Sequence, residues 1–249
     1  LFSFYEINLE DKEAVDHLFK KEEPQRAIHL AAQAGVRYSI QHPEVYIQSN
    51  IVGTFNILEG CRQNNIRNVI YASSSSVYGC NIKSPFSEND RVEQPLSLYG
   101  ASKIANEAMA HAYAHLYNIQ MIGLRFFTAY GPWGRPDMAL FLFTKSILNG
   151  EPIQVFNQGK HARSFTYIED IIEAMFRLIK KTEAGSTKFE KNEIEKCPEC
   201  KIYYHGGESR GYILYKPVNL SENAPLVFVL HGYTSNAPTI RNITKMNRI

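Results

Sequence analysis

The sequence lacks the features of several protein classes. It has no apolar run of membrane-spanning length, and its N-terminus has none of the features of a signal peptide. A formal net charge of +2 is too small to indicate binding to nucleic acid or to an anionic membrane. Its 4 cysteines follow no disulfide-framework spacing, which favours a reducing compartment and predicts a cytoplasmic protein. The composition, with 44% hydrophobic and 21% charged residues, is that of an ordinary globular protein.

The sequence also lacks a Gly-rich phosphate turn. Its 15 glycines form neither G-x-G-x-x-G nor G-x-x-G-x-x-G. Such a turn follows a strand and opens a helix, so that backbone amides and the helix N-terminus bind a pyrophosphate. A dinucleotide site built by these residues alone is therefore predicted to lack its phosphate cradle.

What the sequence does contain is an alternation of strand-like and helix-like segments. Apolar runs bounded by turn residues predict strands, and apolar residues recurring at helical spacing predict helices. The predicted strands are residues 2–7, 26–30, 68–72 and 121–127, and the predicted helices are residues 11–21 and 43–64 and a helix after Pro95. This order predicts an α/β fold with a doubly wound parallel sheet.

The clearest chemical signal is the pair Tyr99 and Lys103. The four-residue spacing places both side chains on one helix face. A nearby ammonium stabilises the anionic form of a phenol and lowers its pKa, so such a tyrosine can accept a proton from an alcohol. Residues 73–76 are four serines that follow the strand-like run ending at Ala72. Hydroxyls at that end of a parallel strand lie where open α/β sheets bind ligands.

Together with three other segments, these residues resemble a known family. Residues 4–181 resemble an extended short-chain dehydrogenase/reductase of the NAD-dependent sugar-nucleotide epimerase/dehydratase family. The resemblance is carried by residues 29–39 (HLAAQAGVRYS), 72–79 (ASSSSVYG), 98–103 (LYGASK), 124–138 (LRFFTAYGPWGRPDM) and 163–170 (RSFTYIED).

The resemblance implies an NAD-dependent enzyme with a catalytic trio. Tyr99 would take the proton from the sugar 4-hydroxyl, Lys103 would hold the nicotinamide ribose, and Ser74 would hydrogen-bond the 4-oxygen and relay the proton. The residues implied to contact the cofactor are Leu30, Ala31, Ala32, Tyr99, Lys103 and Phe126. No metal is implied.

Within the family, the likeness is greatest to enzymes that interconvert UDP-glucuronate and UDP-galacturonate. Dehydratases of the family carry Asp-Glu directly after the catalytic hydroxyl residue, whereas this sequence has Ser75 and Ser76. Hydroxyl donors at these positions suit a substrate carboxylate. The residues implied to bind the UDP-sugar are Arg37, Ser75, Ser76, Thr128, Arg135 and Arg163. A surface salt bridge is the alternative interpretation of Arg135.

Measured against the family, the N-terminal strand residues resemble its third strand. The expectation is therefore a Rossmann-like sheet that lacks its first two strands, with an unpaired edge on the strand at Ile28 and impaired activity in the chain as given. The predicted divisions are a truncated NAD-binding domain at 1–181 with the start of its substrate domain, a linker at 182–209 and a short β-rich segment at 210–249.

The segment 210–249 resembles the N-terminal part of α/β-hydrolase esterases of the polyhydroxybutyrate depolymerase or feruloyl esterase type. Residues 210–217 predict a hairpin and residues 225–233 a core strand, followed by His231-Gly232 at an oxyanion-loop position. Cys197 and Cys200 have zinc-knuckle spacing with His205 as a third candidate, but two thiols in a surface turn are the favoured interpretation.

Three rival functions stay open at this stage. A UDP-glucuronate decarboxylase would pass through the same 4-keto acid, and an esterase would rest on His231-Gly232 alone. The third rival is a non-catalytic dimerising fragment, since the helices at 43–64 and 97–118 correspond to the homodimer interface of the family.

Overall fold

A computed structural model describes residues 3–83, 85–155, 157–160 and 162–183, and the backbone of strands at 200–205, 208–213 and 226–229. The chain divides into two compact units. The first comprises Leu1–Phe126 and Ser221–Ile249, and the second comprises Phe127–Leu220. Within the described residues, no helix combines the length and apolar character needed to cross a bilayer.

The first unit contains a parallel four-stranded sheet. Its strands are β1 (Arg26–His29), β2 (Asn68–Ser74), β3 (Gln120–Phe126) and β8 (Leu226–Val229). Their order across the sheet is β3-β2-β1-β8. Each strand is rich in apolar residues, as expected of parallel strands covered by helices. Pairing of Ala27 with Val69 and of Ser74 with Phe126 aligns the carboxyl ends of β1, β2 and β3 at one edge of the sheet.

Helices connect the strands of this sheet. They are α1 (Lys12–Glu22), α2 (Tyr38–Gln41), α3 (Pro43–Val45), a π-helix (Tyr46–Val52), α4 (Gly53–Gln63), a 3₁₀ turn (Ser75–Tyr78) and α5 (Leu98–Tyr117). Side chains cap two helix N-termini: Asp11 accepts from the amide of Ala14, and Ser97 accepts from the amide of Gly100. Each cap satisfies an amide that has no partner within its helix.

The core of the first unit lies where α1 and α4 cover the sheet. Phe19 of α1 and Ile57 of α4 are each 1% exposed. The remaining buried members of this cluster are Leu9, Val15, Ala27, Ala31, Cys61, Ile66, Val69 and Ile119. Their burial anchors the strands whose carboxyl ends carry the site residues.

The second unit contains two small sheets and two described helices. Its elements are β4 (Thr128–Tyr130), α6 (Ala139–Leu148), a 3₁₀ turn (Asn157–Gly159), β5 (Phe165–Tyr167), α7 (Ile168–Glu183), β6 (Cys200–His205) and β7 (Glu208–Ile213). Strands β4 and β5 are parallel, and β6 and β7 form an antiparallel hairpin.

Two sequence-based expectations about the sheet are wrong. Residues 3–8 form no strand, although the apolar pattern at 2–7 predicts one. Strand β1 also has no unpaired edge, because β8 pairs with it in parallel from Arg26↔Leu226 to His29↔Val229. Strands form by pairing, and the position beside β1 is taken by a segment two hundred residues away, which local patterns cannot reveal.

The C-terminal predictions are only partly within the described residues. Of the core strand predicted at 225–233, residues 226–229 are present as β8. Of the hairpin predicted at 210–217, residues 210–213 belong to β7, which pairs with β6, and residues 214–217 lie outside the described residues. Cys197, His231 and Gly232 lie outside the described residues, as do the side chains of Cys200 and His205. The domain boundaries at 181 and 209 stay a prediction.

Candidate active site

The predicted Tyr99 and Lys103 lie one turn apart in the first half of α5. Ser97 caps this helix and so fixes where its first turn begins. That turn also lies close to the 3₁₀ turn, because a Cβ atom on Gly100 would come within 2.8 Å of the Ser76 carbonyl oxygen. Glycine therefore allows the start of α5 to approach the serine segment.

Lys103 is the most unusual charged group of the site. Its side chain is 2% exposed, and Nζ donates to the backbone carbonyl of Ala72 at 2.8 Å. Ala72 lies in β2, two residues before Ser74. Burial lowers the pKa of Lys103 from 10.5 to about 8. The amine is therefore a buried cation at neutral pH, close to the carboxyl end of β2.

The predicted serines lie at the end of β2. Ser74 is 7% exposed, and its Oγ accepts from the backbone amide of Ser76 at 3.2 Å. Ser75 and Ser76 are partly buried in the 3₁₀ turn. Phe126 is the parallel partner of Ser74 across β2 and β3. The structure thus places Ser74 and Phe126 together at the sheet edge towards which Lys103 points.

The predicted cofactor wall after β1 is held by a buried asparagine. Asn50, in the π-helix, accepts from the Gln33 amide at 2.7 Å and donates to the Gln33 carbonyl at 3.0 Å. Its Nδ2 also donates to Ser102 Oγ at 2.9 Å, and Ser102 Oγ donates to the Tyr99 carbonyl at 2.8 Å. These bonds connect the loop that carries Leu30, Ala31 and Ala32 with the helix that carries Tyr99.

A second contact fixes the other end of this loop. Tyr46 is fully buried, and its hydroxyl donates to the carbonyls of Ala34 at 3.1 Å and Gly35 at 2.6 Å. Its ring lies 6.1 Å from that of Tyr99, edge to face. Arg37, which follows this contact, is exposed. The π-helix therefore supports both the loop and Tyr99, and π-helical turns occur frequently at functional sites.

His29, at the carboxyl end of β1, is a buried histidine. Its Nε2 lies 2.9 Å from Thr54 Oγ1, and its Nδ1 has no hydrogen-bond partner among the described residues. Burial, together with the nearby charge of Lys103, lowers the pKa of His29 from 6.5 to about 3. His29 is therefore neutral across the physiological pH range.

His29 should make the stability of the chain depend on pH. Its pKa is lower in the folded than in the unfolded chain, so the unfolded chain binds an extra proton between pH 6.5 and about 3. The free energy of unfolding should fall as the pH drops through this window, by up to about 1.4 kcal/mol per pH unit. Urea unfolding at pH 7 and at pH 5 measures this change in the free energy of unfolding. The variant His29→Gln should lose this slope, whereas the exposed His17→Gln should keep it; equal slopes in all three proteins would contradict the assignment.

The remaining predicted residues belong to the second unit. Thr128 begins β4, and its amide donates to the Ser164 carbonyl at 3.2 Å, which brings the segment after Arg163 beside β4. Arg135 binds both carboxylate oxygens of Asp137. Arg163 is exposed, and Nη1 donates to the Ala162 carbonyl at 3.0 Å. Both guanidinium groups are thus held by local acceptors.

Sequence reasoning missed the buried polar residues that support the site. Asn50, His29 and Glu107 have polar side chains at positions that their elements turn inwards. For Asn50 and Glu107 the available signal was a polar residue on the inward face of a helix, and for His29 it was a polar residue at the end of an apolar strand, since buried polar groups require partners. The partners themselves lie on other elements and leave no local pattern.

Comparisons with known proteins agree with this architecture. The model of the NAD dependent epimerase/dehydratase family matches residues 2–190. Protein CapI of Staphylococcus aureus is 50% identical over 225 residues, which cover 90% of this chain and 64% of that protein. A probable UDP-glucuronate 4-epimerase of Rhizobium meliloti is 51% identical over 170 residues, covering 68% of this chain and 50% of that protein. The chain thus spans about half to two thirds of the length of these relatives.

Solved structures give the same result. UDP-glucuronic acid 4-epimerase from Bacillus cereus, in complex with UDP-glucuronic acid and NAD, is 36% identical with a TM-score of 0.61. The match covers 66% of this chain and 52% of that chain. UDP-glucose 4-epimerase from Thermotoga maritima is 31% identical with a TM-score of 0.65, covering 69% of this chain and 57% of that chain.

These relatives lend no support to an esterase-like C-terminal segment. They do confirm the Rossmann-like parallel architecture and the family resemblance carried by the serine segment, the tyrosine–lysine pair and the loop after β1. The chain belongs to the NAD-dependent epimerase/dehydratase family.

Proposed function

We propose that the chain provides the catalytic part of an NAD-dependent nucleotide-sugar 4-epimerase that interconverts UDP-glucuronate and UDP-galacturonate. The proposal depends on the buried amine of Lys103, which lies one helical turn from Tyr99. This amine donates a hydrogen bond to the carbonyl of Ala72, two residues before Ser74. Relatives named as UDP-glucuronate 4-epimerases support the choice of substrate.

The residues present fit one end of NAD. The loop after β1 offers the small side chains of Ala31 and Ala32, held in place by Asn50, and Lys103 offers a buried amine near the same sheet edge. The described residues contain no Gly-rich turn for the pyrophosphate. When bound, NAD supplies the hydride acceptor for C4 of the sugar. Tyr99, Lys103 and Phe126 would hold its nicotinamide end.

The protein groups have separate tasks in the proposed reaction. Tyr99 accepts the proton of the sugar 4-hydroxyl and returns it when the alcohol re-forms. Lys103 stays protonated below about pH 8, so its charge stabilises the tyrosinate and its N–H bonds hold the ribose. Ser74 hydrogen-bonds the 4-oxygen and relays the proton. Buried His29 is neutral and adds no competing charge beside Lys103.

Product analysis by NMR tests the proposal. UDP-glucuronate is incubated with NAD⁺ and with a form of the protein in which the first two strands of the family and their Gly-rich phosphate turn are fused ahead of Leu1. The expected product is UDP-galacturonate, with its six-carbon uronic acid intact. A UDP-pentose would instead identify a decarboxylase, and an unchanged substrate would favour a non-catalytic dimerising fragment.

Arg135 is proposed to bind the carboxylate of the uronic acid. A guanidinium can bind a carboxylate through two parallel hydrogen bonds, as Arg135 already does with Asp137. Arg135→Ala should therefore reduce kcat/KM for UDP-glucuronate far more than for UDP-glucose. Loss of one charged hydrogen bond costs about 1.5–3 kcal/mol, which is roughly a tenfold to hundredfold effect.

The matched control for Arg135 is Arg163, which is proposed to meet the UDP pyrophosphate. Arg163→Ala should reduce kcat/KM for UDP-glucuronate and for UDP-glucose to a similar extent, because both substrates contain the same nucleotide. Parallel steady-state kinetics with UDP-glucuronate and UDP-glucose give the comparison. If Arg135→Ala reduced kcat/KM equally for both substrates, Arg135 would have a structural role. The main support for UDP-glucuronate as the substrate would then be lost.

A homodimer through residues 43–64 and 97–118 is the proposed assembly. Both segments expose apolar side chains, including Ile47 and Phe55 in the first and Leu116 in the second. Phe55→Asp should convert a dimer to a monomer in sedimentation velocity, because a carboxylate would be buried without a partner. Leu148→Asp, at an exposed apolar position on α6, is the control and should leave the mass unchanged. A monomeric parent chain would exclude this interface.

A further inference from the structure

Tyr99 and Lys103 share their helix face with a third polar residue, Glu107. The three residues are four apart, so they recur on one side of α5. Lys103 binds the carbonyl of Ala72, and Glu107 Oε1 accepts from Ser73 Oγ at 2.5 Å. Two successive turns of α5 therefore make hydrogen bonds with two successive residues of β2, directly before Ser74.

Glu107 is also paired with Arg125 of β3. Arg125 Nε lies 2.9 Å from Glu107 Oε1, and Nη2 lies 2.9 Å from Oε2, so the pair is bidentate. The two side chains are only 20% and 18% exposed. The hydrogen bonds that Arg125 donates to Glu107 raise the pKa of Arg125 above its ordinary value. Ser73 and Arg125 are register partners in the sheet, so Glu107 bonds two adjacent strands at the same level.

Arg125 makes two more contacts, both with the segment that follows Ser74. Its Nη1 donates to the Glu88 carbonyl at 3.2 Å, and its Cζ lies 5.0 Å from the centre of the Tyr78 ring. Tyr78 ends the 3₁₀ turn that begins at Ser75. One guanidinium therefore contacts α5, the 3₁₀ turn and the loop between them.

We propose that Glu107 and Arg125 are positioning residues that set the axial register of α5 on β2 and so hold Tyr99 and Lys103 beside Ser74. The importance of this pair for catalysis rests on the proposed epimerase function, but the effect of the pair on the position of Lys103 does not. A bidentate pair fixes both distance and direction, which a lysine in place of Arg125 would not do. A one-turn mismatch between α5 and β2 would remove the Lys103 amine from the Ala72 carbonyl.

The reactivity of the Lys103 amine in the unliganded full chain tests the proposal. Acetic anhydride labelling between pH 6 and 11, quantified peptide by peptide by mass spectrometry, gives a rate and a titration midpoint for each lysine. In the parent chain, Lys103 should be protected and should titrate near its pKa of about 8. In Glu107→Gln, the midpoint should move towards 10.5, the ordinary lysine value, and the limiting rate at pH 11, where most of the amine is deprotonated, should rise at least tenfold.

Two further variants keep the test decisive. Glu107→Asp retains the negative charge, but its shorter side chain does not reach Ser73 and Arg125 equally well. It should therefore shift the titration midpoint of Lys103 in the same direction, and it keeps the test available if Glu107→Gln does not fold. Arg125→Lys should move the Lys103 midpoint in the same direction although it keeps the positive charge, since a single ammonium cannot bind both carboxylate oxygens of Glu107 in fixed directions. Glu173→Gln, which breaks the Arg177–Glu173 pair within α7, is the matched control and should leave Lys103 unchanged.

The proposal is overturned by either of two results in variants that urea titration shows to be folded. One is a Lys103 rate within twofold of the parent with an unchanged midpoint. The other is an equal rise in amide hydrogen exchange across α1, α4 and α5, which would mean general loosening rather than loss of register. Because no substrate is present, either result leaves the proposed epimerisation untouched, and failure of epimerisation would leave this test unaffected.

Discussion

Tyr99→Phe should lower the rate of 4-epimerisation by roughly 10²–10⁴-fold, the usual contribution of a general acid–base group. The phenylalanine ring keeps the contact with Tyr46 but has no hydroxyl to accept the proton of the sugar 4-hydroxyl. The measurement is kcat with UDP-glucuronate in a form of the protein that carries the Gly-rich phosphate turn. Binding of substrate should change little, because the loss concerns the chemical step.

Tyr113→Phe is the matched control for this variant. Tyr113 lies on the same helix, but its hydroxyl donates to Glu59 at 2.6 Å on α4 rather than to a group at the sheet edge. Its loss should leave kcat within a few fold of the parent. Activity of Tyr99→Phe within tenfold of the parent would remove Tyr99 from the proposed proton transfer.

The second large effect concerns NAD⁺ itself: the chain as given should not bind it in the low micromolar range. A dinucleotide pyrophosphate carries two negative charges and requires amide donors at a helix N-terminus. The sequence contains no Gly-rich turn of that kind. Loss of two charged hydrogen bonds would cost about 3–6 kcal/mol, or roughly 10²–10⁴-fold in Kd.

Isothermal titration of the purified chain with NAD⁺ provides the measurement. A second titration, with the first two strands of the family and their phosphate turn fused ahead of Leu1, is the control and should show binding. A low-micromolar Kd for the chain as given would show that other residues take over the pyrophosphate. The C-terminal segment would be the first to examine, because β8 lies directly beside β1.

Local patterns were sufficient for the elements that fold from neighbouring residues. The apolar runs that predict strands at Ile28, Ile70 and Ile122 and the helical spacing after Asp11 all correspond to observed elements. The strand predicted at 2–7 was wrong because a strand requires a partner that its own sequence does not specify. The π-helix at Tyr46–Val52 was not predicted either, since its extra residue per turn leaves the apolar pattern nearly helical.

The candidate site could be predicted as far as its chemistry follows sequence spacing. Tyr99 and Lys103 share a helix face because they are four residues apart, and Ser74 follows from the end of an apolar strand. The burial that lowers the pKa of Lys103 depends on β2, and the Glu107–Arg125 pair joins a helix to a strand eighteen positions further on. Such contacts are set by tertiary structure and have no periodic signature.

Reversible removal of hydride from C4, the step on which the proposed epimerisation depends, can be followed through the fate of deuterium at that carbon. UDP-glucuronate carrying deuterium at C4 would be converted in ordinary water by the form of the protein with the phosphate turn, and the product would be examined by NMR. The expected product is UDP-galacturonate with the deuterium retained at C4, because the deuteride removed from one face of the sugar returns to the other face. Replacement of the deuterium at C4 by solvent hydrogen in that product would contradict it.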